Sequence, residues 1–129
     1  MNTHILVVDD SPSLREIVKR FLSKIPNIQV SEAADGAEAE QLLQQNQILE
    51  TPVNIILLDW MMPNQNGHAL LEKIRSIPTF QKHPKIIMLS AETLPEQIEA
   101  CIKFDIVAYV TKPFTEEQIH DAVTKAMAA

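Results

Sequence analysis

The chain has 129 residues, which suits one domain and leaves little room for a second. With 46% hydrophobic and 22% charged residues it can build a packed core, which excludes a disordered tail. The net charge of −6 argues against a nucleic-acid-binding surface, which needs a basic stripe, but leaves room for a local acidic site that takes a cation.

Along the chain, short apolar runs alternate with longer amphipathic stretches. The first run, Ile5-Leu6-Val7-Val8, ends at Asp9-Asp10. Ser11-Pro12 then forms an N-cap and first-turn pair. Leu14, Ile17, Val18, Phe21 and Leu22 recur at helical spacing and predict one buried helix face. Pro26-Asn27 breaks that helix, and Ile28-Gln29-Val30 reads as a short second strand. Asp35-Gly36 is a turn, Ala39, Leu42 and Leu43 mark a second helix, and residues 44–52 read as a polar connection.

Val53 to Leu58 is the third strand, almost wholly apolar. After a loop from Met62 to Gly67, Leu70, Leu71, Ile74 and Ile77 carry the third helix. Ile86 to Leu89 is the fourth strand. A fourth helix near Pro95 turns Ile98, Cys101 and Ile102 inward. Ile106 to Val110 is the fifth strand, and Ile119, Ala122, Val123, Ala126 and Met127 stripe the last helix.

Five strand–helix units of about 25 residues predict an α/β fold, a parallel sheet with helices on both faces. Strands buried on both faces read as continuous apolar runs, which places strands one, three and four centrally and the mixed strands two and five at the edges. The strand order 2-1-3-4-5, the flavodoxin-like doubly wound order, satisfies this pattern.

In such sheets ligands bind beyond the carboxyl ends of the strands, at the topological switch point. Strand one ends at Asp9-Asp10, strand three at Asp59, strand four at Ser90 and strand five at Thr111-Lys112. Taken singly, each has an ordinary reading: an acidic turn, a helix cap, a solvated lysine. Together they would set three carboxylates, a hydroxyl and an ammonium on one rim. Three close carboxylates repel and call for a cation, and hard oxygen ligands suit Mg²⁺, or Mn²⁺ in its place. A metal and Lys112 would neutralise charge on a transferring phosphoryl group, Ser90 would donate to one of its oxygens, and a carboxylate is a covalent phosphoryl acceptor.

These residues resemble the receiver domain of two-component response regulators. The resemblance covers nearly the whole chain and rests on four segments in order: Val7-Val8-Asp9-Asp10-Ser11; Leu57-Leu58-Asp59-Trp60-Met61-Met62-Pro63 with Gly67 beyond it; Met88-Leu89-Ser90-Ala91; and Tyr109-Val110-Thr111-Lys112-Pro113-Phe114. It implies Asp59 as phosphoacceptor, Asp10 as a direct magnesium ligand with Asp9 assisting, and the Met61 backbone carbonyl as a further ligand. Lys112 would pair with the phosphoryl group, across a cis bond to Pro113. Ser90 would hold a phosphoryl oxygen, and Tyr109 would swing inward as it does so. Met61 and Glu92 would flank the phosphoryl group and tune its hydrolysis.

Two departures stand out. Asp105 occupies a position where the family often has glycine, and Asp tolerates left-handed backbone better than most residues. Glu40 replaces a usual apolar residue of the second helix, which predicts looser packing there.

No histidine of the four shares a ligand spacing with another, and none maps to the rim, so the phosphoryl donor must come from outside: a sensor histidine kinase, a histidine phosphotransfer protein or a small phosphodonor. The expected output surface is the face of helix four, strand five and helix five, meeting a downstream protein or, weakly, a second copy; nucleic acid and membrane are not expected partners. Residues 1–129 are expected to form the receiver alone, either as a single-domain regulator or as a receiver cut from a longer one. Such a chain is not an enzyme beyond its own phosphorylation and dephosphorylation.

Two other functions compete. A haloacid-dehalogenase-type phosphatase also uses Asp, Mg²⁺, Ser or Thr and Lys on a doubly wound fold, but wants Asp-x-Asp after the first strand, where Asp9-Asp10 are adjacent here. A phosphorylation-independent scaffold would not need the full acid set. The single cysteine, Cys101, allows no internal disulfide and fits a reducing compartment. The apolar runs fall far short of the ~20 residues of a membrane span, and the N-terminus shows no signal-peptide pattern. The expected location is the cytoplasm.

Overall fold

A computed structural model describes residues 2–60, 67–91 and 95–128. The elements run β1 (Thr3–Val8), α1 (Pro12–Leu22), β2 (Ile28–Ala33), α2 (Gly36–Ile48), β3 (Ile55–Asp59), α3 (Gly67–Ser76), a 3-10 turn (Pro78–Phe80), β4 (Lys85–Ser90), α4 (Pro95–Ile102), β5 (Ala108–Thr111) and α5 (Glu116–Ala128). All strand pairs are parallel and the order is β2-β1-β3-β4-β5, as the apolar runs predict.

Alternation along each central strand divides the core in two, because successive side chains leave a strand on opposite faces. Leu6, Val8, Ile56, Leu58, Ile86 and Met88 meet Leu43 of α2, Leu70, Leu71 and Ile74 of α3, and Cys101 of α4. Ile5, Val7, Ile55, Leu57, Ile87 and Leu89 meet Val18 and Leu22 of α1 and Ile119, Val123 and Ala126 of α5. Each fully buried Leu or Ile is worth roughly 1.5–3 kcal/mol of transfer free energy, so these two layers dominate the fold's stability.

Local signals fix the helix starts. The Ser11 hydroxyl accepts from the Leu14 amide at 3.2 Å, with Pro12 in the first turn of α1. The Asp35 carboxylate accepts from the Glu38 amide at 2.8 Å and caps α2. Asp105 adopts φ 63°, so the residue standing in for glycine does take the left-handed turn into β5. The Glu40 carboxylate pairs with Lys73 of α3 at 3.0 Å.

Several expectations need correction. The polar run after Leu43 is not a connection: α2 continues to Ile48, because glutamine is a good helix former and solvent-facing positions need no apolar residue. It stops where Glu50 turns left-handed at φ 59°, with the Thr51 amide on the Asn46 carbonyl at 2.9 Å and the Glu50 amide on that of Gln47 at 3.3 Å. That is a Schellman closure, made here without glycine.

Three residues of the apolar stripes face outward: Ile17 is 39%, Ile102 59% and Met127 50% exposed. Val18 and Leu22 centre the buried arc of α1, and Ile17 lies roughly 100–140° around from them at 3.6 residues per turn. Ile102 is the last residue of an eight-residue helix, and Met127 sits in the last turn of α5. Ends also shift: β2 runs on to Ala33, β3 begins at Ile55, α3 stops before Ile77, and β5 begins at Ala108. Among the described residues, no helix is long and apolar enough to cross a membrane.

Candidate functional site: an acidic rim at the strand ends

The sheet brings the carboxyl ends of β1, β3, β4 and β5 to one edge, and the sequence-predicted groups arrive with them. Carboxylate oxygens of Asp9, Asp10 and Asp59 lie within 4.8 Å of one another. Asp9 and Asp59 are buried, at 2% and 4% exposure, whereas Asp10 is exposed. Asp9 directly follows β1, its amide on the Ala33 carbonyl at 3.1 Å, and its Oδ1 accepts from the Ser11 amide at 2.9 Å.

Lys112 answers part of this charge. Its Nζ donates to Asp59 Oδ1 at 2.9 Å and reaches Asp9 Oδ2 at 3.4 Å. Burial alone would lower the lysine's pKa, but the hydrogen bond to Asp59 and the charges of Asp59 and Asp9 outweigh it, and the net shift is upward. Lys112 is therefore an ammonium at neutral pH. Its backbone is placed by β4, since its amide donates to the Ser90 carbonyl at 2.8 Å, and the peptide bond to Pro113 is cis.

Ser90 is buried at the end of β4, in register with Thr111. Tyr109 pairs in register with Met88 and is half-buried against the α2–α3 side of the core. Met61 and Glu92 lie outside the described residues.

Gly67 fixes the end of β3 from the other side. Its amide donates to the Trp60 carbonyl at 2.7 Å. A β-carbon there would collide with the Asp59 carbonyl oxygen and stand 2.9 Å from Trp60 Cα. The helix start can approach the acidic strand end only because residue 67 has no side chain.

Three carboxylates on one ammonium leave an excess of negative charge, and the donor set is all hard oxygen. Opposite ligands of an octahedral ion with bonds near 2.1 Å sit roughly 4.2 Å apart, so carboxylate oxygens at this spacing fit around one Mg²⁺ with small adjustments.

Two nearby residues escaped the sequence reading. Arg15 of α1 donates through Nη1 to the Asp9 carbonyl at 2.6 Å and through Nε to Glu32 of β2 at 3.1 Å. His68, read from sequence as lying off the rim, packs against Trp60, the neighbour of Asp59, with ring centroids 5.5 Å apart, and against Phe104 at the same distance. Its position beside Gly67 was the available signal. Of the other histidines, His4 is buried and bonded to Ser31 and Thr51, and His120 bonds the Phe21 carbonyl.

A family model for the response regulator receiver domain matches residues 5–124. The chain belongs to the response regulator receiver family. It is 34% identical over 117 residues to a chemotaxis protein CheY homolog of Campylobacter jejuni, covering 91% of this chain and 86% of that one. It is 35% identical over 117 residues to chemotaxis protein CheY1 of Helicobacter pylori, covering 91% and 90%. Among solved structures, chemotaxis protein CheY4 of Vibrio cholerae superposes with a TM-score of 0.83 at 28% identity, over 98% of this chain and 99% of that one. The doubly wound fold read from the strand pattern is thus shared with a solved chemotaxis receiver.

Proposed function

We propose that this receiver is a phosphorylation-activated signalling switch that accepts a phosphoryl group on Asp59. One observation carries the reading: in a receiver-family chain, the Asp9, Asp10 and Asp59 carboxylates converge at the strand ends with the Lys112 ammonium on Asp59. A carboxylate oxygen of Asp59 attacks phosphorus as the donor's bond to its leaving group breaks; for a phosphohistidine donor that is the P–N bond, and the imidazole leaves with the electron pair.

Mg²⁺, or Mn²⁺ in its place, would be held by Asp9, Asp10, Asp59 and the Met61 carbonyl and would neutralise charge on the phosphoryl oxygens. Lys112 contributes a fixed positive charge against the same oxygens, already oriented by two carboxylates. Ser90 donates a hydroxyl to the bound group. Tyr109, half-buried on β5, follows it inward, and this rearrangement is read by a partner on the face of α4, β5 and α5.

The donor is a sensor histidine kinase or a histidine phosphotransfer protein, and the receiver works in the cytoplasm as a monomer or weak homodimer. Residues 1–129 act as one receiver unit. Met61 and Glu92 set the lifetime of the phosphoryl group. Beyond its own phosphorylation and dephosphorylation, the chain turns over no substrate.

Intact mass after incubation with acetyl phosphate tests the reading. The native chain should gain one phosphoryl group with Mg²⁺ and none with EDTA, and Asp59→Asn should gain none. Multiple-turnover hydrolysis of a phosphomonoester would point instead to the aspartyl phosphatase reading.

A further inference from the structure

We infer that Arg15 is a positioning residue for the metal-binding acids, an inference that rests on the Mg²⁺ reading of the rim. The starting point is Asp10. Its carboxylate belongs to the acidic cluster, yet it is exposed and, among the described residues, makes no hydrogen bond or ion pair of its own. Its aim is therefore set by the backbone on either side.

On the far side, Ser11 is fixed as the N-cap of α1 and donates its amide to Asp9 Oδ1. On the near side the peptide linking Asp9 to Asp10 presents a carbonyl, and Arg15 Nη1 donates to it at 2.6 Å. No other hydrogen bond to that carbonyl is formed among the described residues. A short bond from a cation fixes the plane of this peptide, and hence the direction in which Asp10 leaves it.

The guanidinium is itself held. Nε donates to Glu32 Oε1 at 3.1 Å, and Glu32 Oε2 accepts from Lys19 at 3.0 Å. The Arg15 side chain is 15% exposed, so the pair is only partly open to solvent. The Lys19 hydrogen bond is the largest of the effects holding the Glu32 carboxyl below its usual pKa, with burial opposing it and Arg15 adding to it. Glu32 lies on β2, in register with Val7 of β1, two residues before Asp9. The chain Glu32–Arg15–Asp9 carbonyl thus ties the metal-ligand loop to the edge strand.

Planar geometry is what permits the arrangement. Arginine offers two directed donors in a fixed fork, whereas a lysine ammonium is a single point on a flexible stem and cannot hold both acceptors in the same geometry. Arg15→Lys therefore keeps the charge next to the acids and removes the fork. This matters for the sign: deleting the charge outright would favour a cation at the rim, and deleting the orientation would disfavour it. The lysine variant isolates the second effect.

The test is Mg²⁺ affinity of the full chain, read from the fluorescence of Trp60, the only tryptophan and the neighbour of Asp59, and checked by calorimetry. Partners that orient metal ligands typically contribute 10–100-fold in affinity, so Arg15→Lys should weaken Mg²⁺ binding about tenfold. Glu32→Gln, which loosens the anchor without touching the Asp9 carbonyl, should weaken it less but in the same direction. Lys19→Gln loses the companion ion pair and should stay within about twofold of the parent, since Lys19 makes no bond to Asp9. Parent-like Mg²⁺ affinity in both Arg15→Lys and Glu32→Gln, with the parent chain binding normally, would overturn the positioning role. If the parent chain itself bound no Mg²⁺, the metal reading of the rim would fall, and this role with it. Equal weakening in all three variants would also overturn it, because Lys19 makes no bond to the Asp9 carbonyl and the loss would then come from general disturbance of the ion-pair cluster between α1 and β2.

Discussion

Gly67→Ala places one methyl group where the start of α3 meets the end of β3. The added carbon would stand 2.9 Å from Trp60 Cα and 3.0 Å from the Asp59 carbonyl carbon, with the Asp59 carbonyl oxygen closer still. All three are backbone atoms, so no side chain can rotate away. Restoring an ordinary separation of about 3.5 Å requires Trp60 Cα to retreat by roughly 0.6 Å and the Asp59 carbonyl oxygen by about 1 Å. Overpacking of this kind costs about 1–3 kcal/mol, and the immobility of the obstacle puts this case at the upper end. Alanine's better helix propensity returns about 0.5–1 kcal/mol, which is too little to cancel it. The net loss is about 2 kcal/mol, or a urea midpoint lower by on the order of 1 M. Urea unfolding followed by Trp60 fluorescence reads the loss directly, and phosphorylation by acetyl phosphate should slow because the displaced peptide carries the proposed acceptor. A midpoint equal to or above that of the parent chain would refute the steric reasoning.

Three further outcomes are expected. Lys112→Met leaves Asp9 and Asp59 buried without their ammonium; breaking a buried pair costs ~3–5 kcal/mol, and the 23% exposure of the Lys112 side chain reduces this to about 2 kcal/mol in EDTA. Saturating Mg²⁺ at a hundredfold over its Kd should restore up to about 2.7 kcal/mol, and a variant insensitive to Mg²⁺ would contradict the shared-charge account. In the parent chain the Lys112 pKa is raised, so its contribution is complete below 10.5 and is lost only as pH climbs through the higher folded value. Burial raises the Cys101 thiol from 9.0 to about 11, so the unfolded chain ionises first; stability should fall between those pH values, and native protein at pH 8 should resist iodoacetamide until unfolded. Met61→Asn should lose its phosphoryl group faster than the parent, measured as the decay of phosphorylated mass after acetyl phosphate is removed; an unchanged lifetime would remove Met61 from the tuning role.

Much of the fold was legible because its strands are buried on both faces. Runs such as Ile5 to Val8 and Ile86 to Leu89 have no other economical explanation, and Ser11-Pro12 marks a helix start by the hydrogen bond of Ser11; Asp35-Gly36 reads as a turn, whereas the Asp35 carboxylate caps α2. The acidic rim was legible for a topological reason: Asp59 and Ser90 end strands, Asp9, Asp10 and Lys112 directly follow them, and a parallel sheet gathers such ends. Less local features were not. Where α2 stops depends on Glu50 taking a left-handed conformation, for which glycine is the usual signal and none is present. The outward turn of Ile17 and Met127 depends on how far each neighbour wraps the helix, which spacing alone does not encode. Arg15 has an unremarkable place on an amphipathic helix; its contact with the Asp9 carbonyl follows from the crossing of α1 over β1 and β2. His68 likewise gains its neighbours only when β3, α3 and the turn before β5 come together.

The central claim is that Asp59 accepts the phosphoryl group. An acyl phosphate is reduced by borohydride at the carboxyl carbon, so the acceptor aspartate becomes homoserine in a peptide digest. After phosphorylation with acetyl phosphate and Mg²⁺, reduction should convert Asp59 to homoserine and leave Asp9 and Asp10 as aspartate, with no conversion in EDTA. Homoserine at Asp9 or Asp10, or at no aspartate in a chain that still binds Mg²⁺ at the rim, would contradict the account.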